Sequence, residues 1–360
     1  MISNSGTLAA PFPWFGGKSG ACQTVWQAFG LVDNYVEPFA GSAAMLLGAP
    51  DGKRVETIND ADGLVANFWR ATAMDADAVA AAADWPCNET DLFARHSWLV
   101  RQRDALLEKL HADPAFYDAQ IAGWWCWGAC NWIGSGWCSG TGPWVHDGER
   151  ILDVRQLPHL GNSGQGINRQ LPHLGNSGQG INRKLPHLGD SGRGVNRQLP
   201  HLGDSGRGGA HPRGAYIRDW FAALQARMRD VRVTCGDWSR VAKDSVTTRH
   251  GLTAVFLDPP YTKGAMDYSA GGVGGELARD VQAWCAANGE NKMLRIVLCG
   301  HAGEHDALLQ HGWHIREWTA RKGYALTDEA VANSASETVW CSPHCVAPVV
   351  AQNDLFAEAA

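Results

Sequence analysis

The chain has 360 residues, of which 45% are hydrophobic and 19% are charged, and its formal net charge is −6. These values are typical of a globular protein with one large or two smaller cores. The negative charge argues weakly against a polyanionic partner, although the local distribution of charge matters more.

Membrane and export signals are not expected in this chain. No apolar stretch reaches spanning length, and the opening residues, MISNSGTLAAPFPWF, lack the basic and apolar regions of a signal peptide. The ten cysteines are scattered without a CxxC pair. We therefore expect a cytoplasmic protein with reduced thiols and no structural zinc.

Strands and helices are predicted on both sides of a central interruption. Helices are predicted at 61–73, over most of 89–129 and at 214–229. The predicted strands are YVEPFAG (35–41), RVETIND (54–60), VRVTCGDW (231–238), LTAVFLDPP (252–260), LRIVLCG (294–300), WHIREW (313–318) and SETVWC (336–341). Their alternation with helices predicts an α/β fold with one sheet, interrupted by an insertion.

The interruption contains four copies of a 14-residue unit, from RQLPHLGNSGQGIN at 155–168 to RQLPHLGDSGRGGA at 197–210. Each copy has a proline and at least three glycines, which excludes a helix. We expect short extended pieces joined by tight turns. The period is too short for the common helical solenoids.

The segment EPFAGS (37–42) ends a predicted strand in a small-residue turn, which allows a ligand to approach the backbone closely. Asp60 ends the next strand, where an acidic side chain can accept both hydroxyls of a ribose. Asp237 ends a further strand and could accept from the amine of a bound adenine. The alternative for both acids is a helix cap after an ordinary turn.

Asp258-Pro259-Pro260-Tyr261 follows a buried strand. In an open α/β sheet, ligands lie at the carboxyl ends of strands. The two prolines fix the backbone, the Pro259 carbonyl is held in place, and Tyr261 offers a ring face. This set suits the binding of an amino group on a flat heterocycle. A capped strand with a Pro-Pro turn would explain only the prolines.

The stretch PWFGGK (13–18) opens the predicted core. Gly16 and Gly17 permit close backbone approach, and Lys18 can face a carboxylate or a phosphate. The GxxxxGK[ST] pattern is absent, so this is not a Walker A loop. A plain helix-entry turn is the alternative.

The motifs WFGGK, EPFAGSAAM, IND and DPPY, in this order, resemble those of the Dam-like class of DNA adenine-N6 methyltransferases. The resemblance covers most of residues 11–70 and 215–342. It implies a Rossmann-like, seven-stranded methyltransferase sheet and S-adenosylmethionine as the methyl donor. It also implies a discontinuous catalytic core, 1–73 and 214–346, a target-recognition insert at 74–213 and a tail at 347–360.

The resemblance also implies roles for individual residues. The target adenine is held by Asp258, Pro259, Pro260 and Tyr261. The donor is surrounded by Trp14, Gly16, Gly17, Lys18, Glu37, Phe39, Gly41 and Asp60, with Asp237 added although the family varies there. The Trp-rich stretch at 124–140 matches the family only loosely, and the repeats have no counterpart in its compact members.

Basic charge is concentrated in the repeats. Residues 155–213 carry a net charge of +6, so the remainder carries −12. We expect the insert to face double-stranded DNA, with a solvated low-complexity linker as the alternative. The four repeat histidines offer one ligand per 14 residues, which does not indicate a metal site. The predicted DNA contacts are Asn131, Ser135, Arg155, Arg169, Arg183 and Arg197.

The sequence therefore predicts a bacterial or phage enzyme that methylates N6 of a flipped adenine in duplex DNA. Two alternatives stay open: the same chemistry on RNA or protein amino groups, and a DNA-binding repeat protein with a vestigial core. A companion restriction endonuclease is a further expected partner if the enzyme belongs to a restriction-modification system. The recognition sequence cannot be transferred from the family.

Overall fold

The computed structural model describes residues 8–14, 18–132, 136–138, 144–146, 151–153, 213–260, 274–316 and 337–347. The helices are α1 (Cys22–Phe29), α2 (Ala44–Leu47), α3 (Gly63–Met74), α4 (Ala76–Ala83), α5 (Glu89–Ala112), α6 (Ala119–Asn131), α7 (Arg213–Met228) and α8 (Gly274–Asn288). The strands are β1 (Asn34–Glu37), β2 (Val55–Asp60), β3 (Trp144–His146), β4 (Ile151–Asp153), β5 (Arg232–Cys235), β6 (Thr253–Leu257), β7 (Leu294–His301), β8 (His314–Arg316) and β9 (Glu337–Cys341). Short 3₁₀ helices lie at Trp238–Arg240, Thr248–His250 and Asp306–His311.

Seven of the described strands form one mixed sheet in the order β5-β2-β1-β6-β7-β9-β8. The first five run parallel to one another, and β9 pairs antiparallel with both β7 and β8. The remaining strands, β3 and β4, form a separate antiparallel pair. The chain starts this sheet at its centre, so the order reverses between β1 and β6, which is where α/β sheets bind ligands.

The predicted α/β fold with a single seven-stranded sheet is confirmed, and each predicted strand overlaps an observed strand. The region predicted as mostly helical, 89–129, forms two helices, α5 and α6, because Asp113 and Pro114 interrupt the helical pattern. The sequence did not predict α1, α2, α4, α8 or the β3–β4 pair. The structure of the 14-residue repeats lies outside the described residues.

Two hydrophobic clusters cover the two faces of the sheet. Tyr35 and Phe256 belong to one cluster, whereas Val255 and Leu257 belong to the other. This division follows from the period of two in a strand, which points successive side chains to opposite faces. The site edge is therefore supported by packed side chains from both sides.

Helices α4 and α6, which begin the predicted insert, share a hydrophobic cluster with α3 and α7. Trp125 of α6 contacts Phe12, with ring centroids 4.7 Å apart, and Phe68, at 5.7 Å. The apolar faces of these helices thus pack against the same core as the sheet. The domain boundaries predicted at 73/74 and 213/214 stay predictions.

None of the helices in the described ranges is both long enough and apolar enough to cross a membrane. All ten cysteines are free thiols, and most are buried. Burial raises the pKa of Cys285 well above its usual value, as expected for a small apolar core residue.

Candidate active site at the carboxyl edge of the sheet

Four neighbouring parallel strands bring the predicted acids to one edge. Glu37 is the last residue of β1 and Asp60 is the last of β2, while Asp258 directly follows β6. Asp237 lies two residues beyond β5. Because the four strands are parallel neighbours in the sheet, their carboxyl ends meet at the same side.

Lys18 and Asp258 form an ion pair at this edge. The Nζ atom of Lys18 lies 3.3 Å from Oδ1 of Asp258. The lysine side chain is only 3% exposed, whereas the aspartate side chain is 22% exposed. Lys18 was expected to face a carboxylate or a phosphate, and in the structure it faces the carboxylate of Asp258, the predicted catalytic acid. Tyr261 lies outside the described residues.

Glu37 faces the interior below this edge and is 2% exposed. The Tyr35 hydroxyl donates to its Oε2 over 2.9 Å. Burial raises the pKa of Glu37 to about 8; hydrogen bonds from Tyr35 and the Leu46 backbone oppose the rise, and the charge of Asp258 adds to it. Glu37 is therefore mostly protonated at neutral pH, which limits the negative charge beside Asp258.

The turn after β1 is held between two indoles. Gly41 has a φ of +46°, and a Cβ atom there would lie 2.2 Å from Nε1 of Trp14. Trp69 donates its indole N–H to the Gly41 carbonyl over 2.9 Å. Ala43 follows with a φ of +50° in the left-handed region, which is strained for a residue with a side chain. The predicted close-approach turn thus requires glycine at position 41.

Asp60 ties the ends of β1 and β2 together. Its Oδ2 accepts from the Gly41 amide over 2.9 Å, and its Oδ1 accepts from the Asp62 amide over 2.8 Å. Burial, followed by the charge of Asp62, raises the pKa of Asp60 to about 7. A carboxylate has about four acceptor positions, so capacity remains for the predicted ribose hydroxyls.

Phe39 and Trp238 stack on the face of the sheet opposite to Trp14 and Trp69. Their ring centroids are 6.0 Å apart, with an interplanar angle of 28°. Asp237 precedes Trp238 and is exposed. Its Oδ1 accepts from both the amide and the hydroxyl of Ser239, which caps the short 3₁₀ helix. Asp237 therefore caps a helix, as the alternative expected, and uses one carboxylate oxygen to do so. The contact of Asp237 with adenine stays a prediction.

Asn59 was not predicted as a site residue. Its side-chain amide donates to the Pro38 carbonyl over 3.0 Å and to the Gly236 carbonyl over 2.9 Å. This buried amide connects the ends of β1, β2 and β5. The available signal was an asparagine beside Ile58 near the end of a predicted strand, because a buried amide needs hydrogen-bond partners.

The predicted DNA contacts receive little structural description. Asn131, the last residue of α6, is buried, with 6% of its surface exposed. Its side-chain amide donates to the Trp127 carbonyl of the same helix over 2.6 Å. The remaining predicted DNA contacts, and two of the glycines predicted to bind the donor, lie outside the described residues: Ser135, Arg155, Arg169, Arg183, Arg197, Gly16 and Gly17.

Within the described ranges, no group of three or more His, Cys, Asp or Glu residues is arranged to hold a metal ion. Comparison with protein-family models finds no match for this chain. A search of curated proteins finds no match either. The resemblance carried by the four motifs is therefore the basis of a proposal.

Proposed function

We propose that this chain is a DNA methyltransferase that transfers a methyl group from S-adenosylmethionine to N6 of an adenine flipped out of duplex DNA. The observation that carries the proposal is the Lys18–Asp258 pair, 3.3 Å apart, at the carboxyl end of β6. The two residues come from two of the four motifs that resemble the Dam-like class. They meet beside the switch point of the sheet, where such folds bind ligands.

The residues along this edge fit the methyl donor. The turn at Gly41 packs closely against Trp14, and Asp60 offers acceptor capacity at the end of β2. Phe39 and the buried Trp238 place a stacked pair of rings beside the end of β5. S-adenosylmethionine supplies a methyl group on a sulfonium centre, which needs no metal to be electrophilic.

Asp258 and Pro259 would hold the target amine. Adenine N6 is a poor nucleophile because its lone pair is delocalised into the ring. Hydrogen bonds from N6–H to the Asp258 carboxylate and the Pro259 carbonyl favour a pyramidal nitrogen with a localised lone pair. N6 would then bond to the methyl carbon as the methyl–sulfur bond breaks, S-adenosylhomocysteine would leave, and one N6 proton would pass to solvent. Positioning and fixed electrostatics account for the rate.

Lys18 fixes the acid for this task. Its ammonium group is almost completely buried behind Asp258, while the carboxylate itself reaches the surface. A carboxylate can accept at several positions, so pairing with Lys18 leaves it able to accept from an incoming N6–H. Extruding the base costs a few kcal/mol, and stacking on an aromatic ring such as Tyr261 would offset about 1–3 kcal/mol.

The test is methyl transfer from labelled S-adenosylmethionine to unmethylated duplex DNA, with RNA and protein as parallel acceptors. Asp258→Ala should lower transfer to DNA by at least about 100-fold while DNA affinity is largely kept. Asp244→Ala, which removes an exposed acid from the loop before β6, is the matched control. Long-read sequencing of DNA from expressing, methylation-free cells would identify the modified adenines.

Three results would overturn the proposal. Asp258→Ala could methylate DNA at a near-normal rate, or the wild-type protein could modify only RNA or protein. Failure of the wild-type protein to bind the donor in calorimetry would instead favour a DNA-binding repeat protein with a vestigial core.

A further inference from the structure

Arg103 joins the candidate donor site to the start of the insert. It lies on α5, and its Nη2 is 3.3 Å from Oδ2 of Asp62. Its Nη1 donates to the Cys138 carbonyl over 2.9 Å. One guanidinium therefore bridges Asp62, two residues beyond β2, to the segment that follows α6, and its planar fork suits two acceptors in fixed positions.

Asp62 connects this bridge to the donor edge. Its amide donates to Asp60 over 2.8 Å, and its Oδ1 accepts from the Leu64 amide, which caps α3. The other oxygen, Oδ2, pairs with Arg103. Asp60 in turn accepts from Gly41. A continuous series of polar contacts thus runs from the Gly41 turn to α5.

Cys138 is held firmly at the other end. Its amide donates to Nδ1 of His96 over 3.3 Å, so α5 binds both its amide and its carbonyl. His96 and Arg103 are seven residues apart and share one face of the helix. Cys138 is 1% exposed and has a φ of +55°. A buried residue held in the left-handed region needs surrounding contacts that enforce it.

We propose that Arg103 is a positioning residue that couples donor binding to DNA binding by the insert. The inference rests on the proposed methyltransferase function. The chain passes from Cys138 into residues 139–213, which carry the repeats. When the insert binds DNA and displaces Cys138, the carbonyl that accepts from Arg103 moves. The contacts from Arg103 to Asp62 and from Asp62 to Asp60 then change. By linkage, donor binding must then change DNA affinity by the same factor.

The experiment measures both affinities in a cycle. S-adenosylhomocysteine is titrated into the full-length protein with and without a short DNA duplex, and the duplex is titrated with and without S-adenosylhomocysteine. In the wild-type protein, each ligand should change the affinity for the other by at least about fivefold, the lower end of typical couplings. Arg103→Met should bring both ratios close to one. Arg101→Met, an exposed arginine on the same helix, should leave the ratios at the wild-type value.

A second variant separates positioning from a general loss of stability. Asp62→Asn keeps an oxygen that can cap α3 but removes the charge that pairs with Arg103. If the pair transmits the coupling, the double variant should show the same ratios as either single variant, because both changes remove one interaction. Additive losses would mean that the two residues act separately and would overturn the inference.

Absence of coupling in the wild-type protein, or intact coupling in Arg103→Met, removes this inference and leaves the proposed function standing. Absence of S-adenosylhomocysteine binding by the wild-type protein removes both.

Discussion

Lys18 and Asp258 lie 240 positions apart in the chain, yet the Lys18 ammonium is 3.3 Å from the Asp258 carboxylate. Lys18 immediately precedes the turn into α1, and Asp258 immediately follows β6. Removing one partner of a buried ion pair leaves an uncompensated charge, so the pair constrains both elements. The first prediction follows from this relationship.

Lys18→Met should lower the free energy of unfolding by about 1–3 kcal/mol, because Asp258 loses its partner while it stays partly buried. Methyl transfer should fall further than this loss of stability explains, since Asp258 is no longer held in position. Chemical denaturation and the rate constant kcat measure the two effects. Lys53→Met, at an exposed lysine, is the control, and equal behaviour of the two variants would contradict the prediction.

Glu37→Gln should change how stability depends on pH. The pKa of Glu37 rises from its usual 4.5 to about 8, so the folded state binds the proton more tightly than the unfolded state does. The free energy of unfolding is then highest below pH 4.5 and declines by about 1.4 kcal/mol per pH unit until about pH 8. Asp60 contributes in the same direction up to a pH of about 7.

The glutamine variant removes the contribution of residue 37 and still accepts from Tyr35. It should match the wild-type protein near pH 4.5 and exceed it in stability above pH 8. Urea denaturation at a series of pH values measures the difference. A difference that stays constant across that range would show that Glu37 does not titrate as inferred.

Gly41→Ala should be more destabilising than Gly303→Ala. Both glycines have positive φ, +46° and +83°, so both variants carry backbone strain of about 1–2 kcal/mol. Only at Gly41 would the new methyl group also collide with Trp14, since nothing lies within 4 Å of a Cβ at Gly303. Thermal unfolding compares the two. A larger loss in Gly303→Ala would show that the Trp14 contact does not enforce glycine.

Asp60→Asn should cost about 1–3 kcal/mol of stability, because an amide offers one acceptor oxygen where two backbone N–H groups need one each. Asp237→Asn is the matched control. One oxygen of Asp237 accepts both bonds from Ser239, so asparagine keeps them, and the change should stay within about 0.5 kcal/mol. Denaturant midpoints at pH 8 test the ranking, and equal losses would contradict it.

Deleting one repeat, residues 169–182, should weaken DNA binding and reduce its dependence on salt. This copy contains a single basic residue, Arg169. If Arg169 contacts a phosphate, the slope of log affinity against log salt should fall by about 1. Fluorescence anisotropy over a range of salt concentrations measures the slope. An unchanged slope and affinity would remove the repeats from the DNA-facing surface.

Local sequence was a good guide to the strands and to the residues that end them. Runs such as TAVFL are apolar because β6 is buried on both faces, and Asp258 follows because the chain leaves the core there. Helices were harder to predict. The helix α4 consists largely of alanine, and α2 has a single turn, so neither shows the amphipathic period that identifies a helix.

The site was predictable as a set of residues but not as a set of contacts. Asp60 was expected to accept from a ribose, and in the folded chain it accepts first from Gly41 and Asp62. Arg103 gave no signal, because an arginine on a polar helix is ordinary until the fold places Asp62 and Cys138 beside it. Hydrogen-bond partners distant in sequence cannot be inferred from one position.

The sequence by itself determined the α/β class, the seven strands and the acids at their carboxyl ends, because apolar runs and turn residues act over a few neighbouring positions. Only the tertiary structure decided that Lys18 pairs with Asp258, that Glu37 is buried beside them, and that Arg103 bridges Asp62 to Cys138. These depend on strand order and on the packing of α1 and α5, which bring together residues that are distant along the chain.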